Sequence, residues 1–214
     1  MTVLDEPYYG YYLKNARLGI DHPSQEQIME LMECDHQKVT AHINILAKTN
    51  DVFVKGMAHH LLMDKPHFIL DWENIILVRD PEKLISSFSK VISNPTLNDI
   101  GLKKASELFS FLKENGKMPV VIESDELMKN PESYLRKICG EIDLPFSENM
   151  LRWKAGGIPE DGVWAPYWYS NVHATTGFEI QQNKSAKVPT HLEPLLKEAL
   201  PYYEILKEAI LKNE

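Results

Sequence analysis

Four short apolar segments, each running straight into charged or hydroxyl-bearing residues, constrain this chain more than any other feature. They are "TVLD" (2–5), "DVFVKG" (51–56), "NIILVR" (74–79) and "MPVVIES" (118–124). They are apolar on both faces, and helix-type segments separate them. Strands of that kind belong in a parallel sheet. The expected fold is α/β, a parallel sheet covered by helices on both faces, and 214 residues suit a single domain, 1–214.

The intervening segments read as helices from their apolar spacing and end signals. Ser24 with Gln27 three residues on forms a capping box for "QEQIMELME", and Asp35 caps a helix carrying Val39, Ile43 and Leu46. Leu102 to Leu112 ends at Asn115-Gly116, and "PESYLRKICGEI" carries Pro131 in its first turn. Near the end, "HLEPLLKEAL" and "YYEILKEAIL" read as two amphipathic helices separated by Pro201.

Composition excludes several functions. Lys and Arg number 23 against 31 Asp and Glu, a net charge of −8. That argues against nucleic acid or an anionic membrane as a partner, since both need clustered cations. Cys34 and Cys139 form no C-x-x-C pair. With no signal-type start and no long apolar run, the expected setting is the reduced cytoplasm. No metal site is expected: there is no H-E-x-x-H, and Asp64 and His67 complete no ligand spacing.

In open α/β sheets ligands bind beyond the carboxyl ends of the strands, so those positions carry the candidates. After the first strand come Asp5, Glu6 and a tyrosine run read as packing; after the second come Lys55, His59 and His60. His59 is the candidate general base, with His60 as its substitute, because adjacent helical residues face different ways. After the third strand Arg79 is followed by Asp80-Pro81 and a helix bearing Ser87. An arginine fork and a hydroxyl make a phosphate clamp. A surface ion pair of Arg79 with Asp80 or Glu82 is the alternative. Finally "DGVWAPYWYSNVHATTGF" (161–178) shows neither period. Its aromatic content reads as a ligand-contacting loop rather than disorder.

"NIILVRDPEKLISSFSKV" resembles the strand–helix segment of the sulfotransferase-like branch of the P-loop nucleoside triphosphate hydrolase superfamily. "VVIESDELMKNPESYLRKICGEIDLPF" and "LLKEALPYYEIL" resemble later parts of the same family. "DGVWAPYWYSNVHATTGF" resembles a bacterial subgroup, relatives of which occur fused to aminotransferase-like proteins in plants. The resemblance implies a three-layer sandwich and the co-substrate 3′-phosphoadenosine-5′-phosphosulfate, with Arg79 and Ser87 on its 3′-phosphate. It further implies Lys55 stabilising developing charge, His59 or His60 taking the proton of a small-molecule hydroxyl or amine acceptor, and Trp164, His173 and Thr176 among the donor contacts. The chain contains no G-x-x-x-x-G-K-[ST], so the resemblance also implies a missing first strand and phosphate loop, an N-terminally truncated domain. The interior slot this would leave could be filled by a homo-oligomer. Two alternatives to sulfuryl transfer are a non-catalytic nucleotide-binding remnant and a phosphotransferase on the same fold.

Overall fold

The computed structural model describes residues 1–16, 22–179 and 187–213. Its elements are β1 (Thr2–Asp5), α1 (Tyr9–Asn15), α2 (Gln25–Leu31), α3 (His36–Leu46), β2 (Val52–Lys55), β3 (Ile75–Val78), α4 (Pro81–Phe88), α5 (Leu102–Glu114), β4 (Val120–Glu123), α6 (Ser124–Lys129), α7 (Pro131–Glu141), α8 (Ala165–Trp168), α9 (Ser170–His173) and α10 (Glu193–Lys207). All four predicted strands form, and they pair in parallel as β1 with β2 and β3 with β4. The fold is α/β with parallel strands. The residues group into two compact units, Met1–Phe68 with Ala155–Ala174 and Ile69–Lys154 with Thr175–Glu214.

In the first unit the β1–β2 register runs from Thr2 opposite Val52 to Asp5 opposite Lys55. Tyr9, Tyr12 and Leu13 recur at spacings of three and four. One face of α1 therefore carries all three, and they bury against Ile28 of α2 and against Trp164. Asp35 caps α3 as expected, accepting from the Gln37 and Lys38 N–H groups at 2.8 and 3.4 Å. Ser24 does not behave as predicted. Its φ of 59° is left-handed, whereas a capping side chain needs an extended residue, and it makes no cap hydrogen bond.

The second unit is built on β3 and β4, with Ile75 opposite Val120 and Val78 opposite Glu123. Asp80 caps α4 and Pro81 opens it, while Ile85 is fully buried. Leu102, Ala105, Leu108, Phe109 and Leu112 form the buried stripe of α5, which packs on α10, where Leu195, Ala199, Tyr203 and Leu206 are buried. Leu77 of β3 stays exposed.

Two features of the tail differ from the sequence reading. Pro201 lies inside α10 and does not divide it. The ring removes one backbone donor, and burial of Ala199 before it and Tyr203 and Leu206 after it outweighs that loss. The apolar "AIL" end is not helical. Ile210 bridges to Val121 in parallel, with the Leu211 N–H donating to the Val121 carbonyl at 2.8 Å, so the tail extends the edge of β4.

Tyr134, fully buried on α7, ties this edge together. Its hydroxyl donates to the Leu211 carbonyl at 2.7 Å and accepts from the Glu123 N–H at 3.4 Å. Removing the hydroxyl leaves backbone groups without a partner. Tyr134→Phe should therefore lower stability by about 1–3 kcal/mol in urea unfolding; no loss would mean the tail contact is idle.

Candidate functional site

The parallel register places Asp5 and Lys55 side by side at the carboxyl ends of β1 and β2. Glu6 follows with a left-handed φ of 48°. Its N–H donates to the Lys55 carbonyl at 2.6 Å, and its own carbonyl accepts from Tyr9 at 2.9 Å. This turn starts α1 and brings a second carboxylate, nearly buried, beside the first. The Lys55 ammonium pairs with Glu6 Oε1 and lies 3.3 Å from Asp5 Oδ1.

The same ammonium donates to the hydroxyl of Tyr169, at the joint between α8 and α9. That hydroxyl also accepts from Trp164 Nε1 at 3.0 Å. It stands 3.0 Å from both Asp5 oxygens and 2.8 Å from Glu6 Oε1. A phenol offers two lone pairs and one proton. Both lone pairs are filled, and the proton is shared among carboxylate oxygens. Burial, then the Glu6 charge, raises the Tyr169 pKa, so the group stays neutral. Burial also raises the Glu6 carboxyl, against the opposing pull of Lys55.

The aromatic segment 161–178 is thus anchored at strand ends by specific hydrogen bonds. It is not devoid of helix: α8 and α9 are single turns, too short to leave a readable period. Two glycines permit the packing. A Cβ on Gly162 would overlap the Trp164 ring, and one on Gly157 would come within 2.9 Å of Asp161 Oδ2. Trp164 is buried, and the Gly162 N–H points to Asp5 Oδ2 at 3.4 Å.

His59 and His60 lie on a single 3₁₀ turn, Ala58–His60, and both are buried. The His60 ring stacks on Tyr9 at 4.5 Å and on Tyr12 at 4.9 Å. His59 stands edge-on to Tyr12 and to His60. Burial, with His59, His22 and Lys55 nearby, holds the His60 pKa well below the usual histidine range, so the ring is neutral. Its Nδ1 has no hydrogen-bond partner among the described residues and lies 3.8 Å from Glu6 Oε2.

The remaining predicted residues sit as follows. His173 pairs with Asp161 at 2.8 Å, and Thr176 is exposed, its carbonyl accepting from the Trp153 N–H at 3.1 Å. Arg79 follows β3 and is half-buried. Asp80 spends its carboxylate on the Glu82 and Lys83 N–H groups, and Glu82 is exposed. Neither pairs with Arg79, which has no ion pair or side-chain hydrogen bond among the described residues. Ser87 is exposed, about 200° around α4 from the buried Ile85.

The structure therefore gathers Lys55, His60 and Trp164 with Asp5, Glu6 and Tyr169. Arg79 and Ser87 belong to the second unit. The sequence reading gave Asp5, Glu6 and Tyr169 no role. The signal for the first two was their place directly after a strand; for Tyr169 nothing local distinguished it from its aromatic neighbours. Among the described residues no three His, Cys, Asp or Glu are arranged to hold a metal, and no helix is long and apolar enough to cross a membrane.

Residues 1–210 match the sulfotransferase domain family, and the chain belongs to it. Two similar proteins from Arabidopsis thaliana are branched-chain-amino-acid aminotransferase-like proteins 2 and 1. Each is 36% identical, over 209 and 210 residues respectively, which is 97% of this chain and 37% of theirs. The chain thus spans little more than a third of the length of these relatives. Among solved structures, the sulfotransferase domain from the curacin biosynthetic pathway aligns at 15% identity and a TM-score of 0.49, over 96% of this chain and 79% of that one.

The buried neutral histidine has a pH signature. Free histidine titrates near pH 6.5, so below about that pH the unfolded chain binds a proton that folded His60 refuses. Stability contributed by neutral His60 is present above about pH 6.5 and is lost as pH falls toward the depressed folded value. His60→Gln should flatten the acid-side fall by up to about 1.4 kcal/mol per pH unit, read by urea unfolding between about pH 7.5 and 5.5. An unchanged slope would mean that the ring already takes up protons in the fold.

Proposed function

We propose that this protein transfers a sulfuryl group from 3′-phosphoadenosine-5′-phosphosulfate to a small-molecule acceptor. Membership of the sulfotransferase domain family supports the reaction class. The observation that carries the donor is Arg79. A half-buried guanidinium just past a strand, with its neighbouring carboxylate committed to a helix cap and no partner of its own among the described residues, is suited to a ligand anion. A phosphate takes an arginine two-pronged, and Ser87 adds a hydroxyl eight residues on.

In this reading the acceptor's lone pair attacks sulfur while the bond from sulfur to the 5′-phosphate oxygen breaks, and the electron pair leaves on the bisphosphate. Such an in-line displacement depends on positioning and charge stabilisation. The Lys55 ammonium is shared by Asp5 and Glu6, so in this reading it fixes the strand-end carboxylates and Arg79 carries the positive charge toward the donor. Of the two histidines, His60 is better suited to take the acceptor's proton, because its Nδ1 lies at the strand-end group, 3.8 Å from Glu6 Oε2. Trp164 and the segment containing His173 and Thr176 cover the ligand. The free cysteines Cys34 and Cys139 fit a reduced, cytoplasmic setting.

Calorimetry with adenosine 3′,5′-bisphosphate tests the donor assignment. A charge-assisted phosphate contact is worth about 1.5–3 kcal/mol, so Arg79→Ala should weaken binding roughly 10- to 100-fold. Ser87→Ala should cost about 1 kcal/mol, roughly fivefold. Unchanged affinity in both variants would remove the phosphate clamp.

A further inference from the structure

The third strand keeps one edge without a partner. β3 pairs with β4, and the far side of β4 is taken by Ile210 and Leu211. The Val120 N–H donates to the Asn74 carbonyl at 2.9 Å. A parallel ladder uses alternate residues, so Asn74, Ile76 and Val78 turn their backbone groups toward β4. Ile75 and Leu77 turn theirs the other way, where no described strand pairs with them. Sheet edges are commonly blunted by lysine, proline or a bulge. The segment "NIILVR" (74–79) has neither lysine nor proline, and its register with β4 runs without a bulge.

One face of the same strand is exposed as well. Glu73, Ile75 and Leu77 alternate with half-buried neighbours, Leu77 being 61% exposed and Ile75 37%. Two residues past Leu77, Arg79 falls on that face and makes no ion pair among the described residues. The order along the face is acid, apolar, apolar, base, which complements itself when reversed. With Ile76 opposite its own copy in an antiparallel pair, Ile75 meets Leu77, and Glu73 meets Arg79 at both ends. The backbone agrees, because Ile75 and Leu77 then form the pairs that exchange two hydrogen bonds. Slipping the register by two residues sets Leu77 against Glu73 or Ile75 against Arg79. The edge of β2 offers no such match, since its cation, Lys55, is already held by Asp5 and Glu6.

We propose that two copies of this chain pair through the free edge of β3, antiparallel about a two-fold axis at Ile76. The two β3–β4 pairs then become one four-stranded sheet. Unpaired main-chain groups gain partners by strand addition, Ile75 and Leu77 are covered, and each Arg79 gains the Glu73 carboxylate of the other copy. The pairing stands apart from the donor assignment, since it concerns the chain without ligand. An Arg79 fork given to a carboxylate is not open to a phosphate.

Sedimentation of the 214-residue chain without ligand, across about 1 μM to 1 mM, should show a reversible monomer–dimer equilibrium. Leu77→Lys, at a position the monomer leaves in water, should weaken the dimer at least about tenfold by setting a charge against Ile75. Glu73→Arg should weaken it about tenfold, because two cations then face each other at both ends. Glu73→Arg combined with Arg79→Glu should restore it. Cross-linking reads the register. In a Cys34→Ser, Cys139→Ala background, Ile76→Cys stands at the two-fold, where facing Cα atoms are about 4.5 Å apart. Mild oxidation should close a disulfide there. Leu77→Cys lies more than about 7 Å from its own copy and should not cross-link. A chain monomeric throughout, a charge swap that restores nothing, or cross-linking through Leu77→Cys in place of Ile76→Cys would overturn the proposal. So would a dimer indifferent to Leu77→Lys, whose contact would lie elsewhere, as at the exposed Met118 and Ile205.

Discussion

The Lys55 ammonium is the point at which three separate stretches of the first unit meet. It pairs with Asp5 and Glu6 from the end of β1, and with Tyr169 from a segment more than a hundred residues later. The carboxylates are nearly buried, so each needs a compensating charge or donor. With Lys55 removed, the two carboxylates would stay in a low-dielectric setting with, among the described residues, the Tyr169 hydroxyl and the Gly162 N–H as the donors to their side chains. Truncating one partner of such a group costs far more than the pair contributes net. The parallel register makes the arrangement, since it alone sets Asp5 beside Lys55.

The aromatic segment depends on this anchor because it has little else. Its helices are single turns and cannot hold themselves. Its order comes from the Trp164 indole, buried with Tyr9 and Ile28 and tied to Tyr169, and from glycines that let rings and carboxylates approach the backbone. The same dependence ties structure to chemistry. The groups that pin the segment are the ones that leave Glu6 Oε2 and His60 Nδ1 facing each other.

Much of this was legible in the sequence, for identifiable reasons. The four strands were, because continuous β-branched runs at strand length leave few alternatives, and so was the Asp80-Pro81 start of α4, where cap and proline agree. Ser24 was misread because a capping box is a local pattern, while the left-handed backbone there is set by the packed turn around it. Pro201 was misread because propensity counted one lost hydrogen bond and could not see the stripe buried against α5. The strand-end rule singled out Lys55 and His60, which the structure sets on either side of Glu6. Glu6 drew no role because a carboxylate after a strand is commonplace; that it stands beside His60 and Tyr169 becomes visible only in three dimensions.

A double-mutant cycle between Lys55→Met and Tyr169→Phe, measured by urea unfolding, tests the central claim most directly. If the ammonium and the phenol act as one network, the losses will not add, and the coupling energy will lie at about 1 kcal/mol or more. Additive losses, within about 0.3–0.5 kcal/mol, would show that Lys55 and Tyr169 act independently and that the aromatic segment is held by other means.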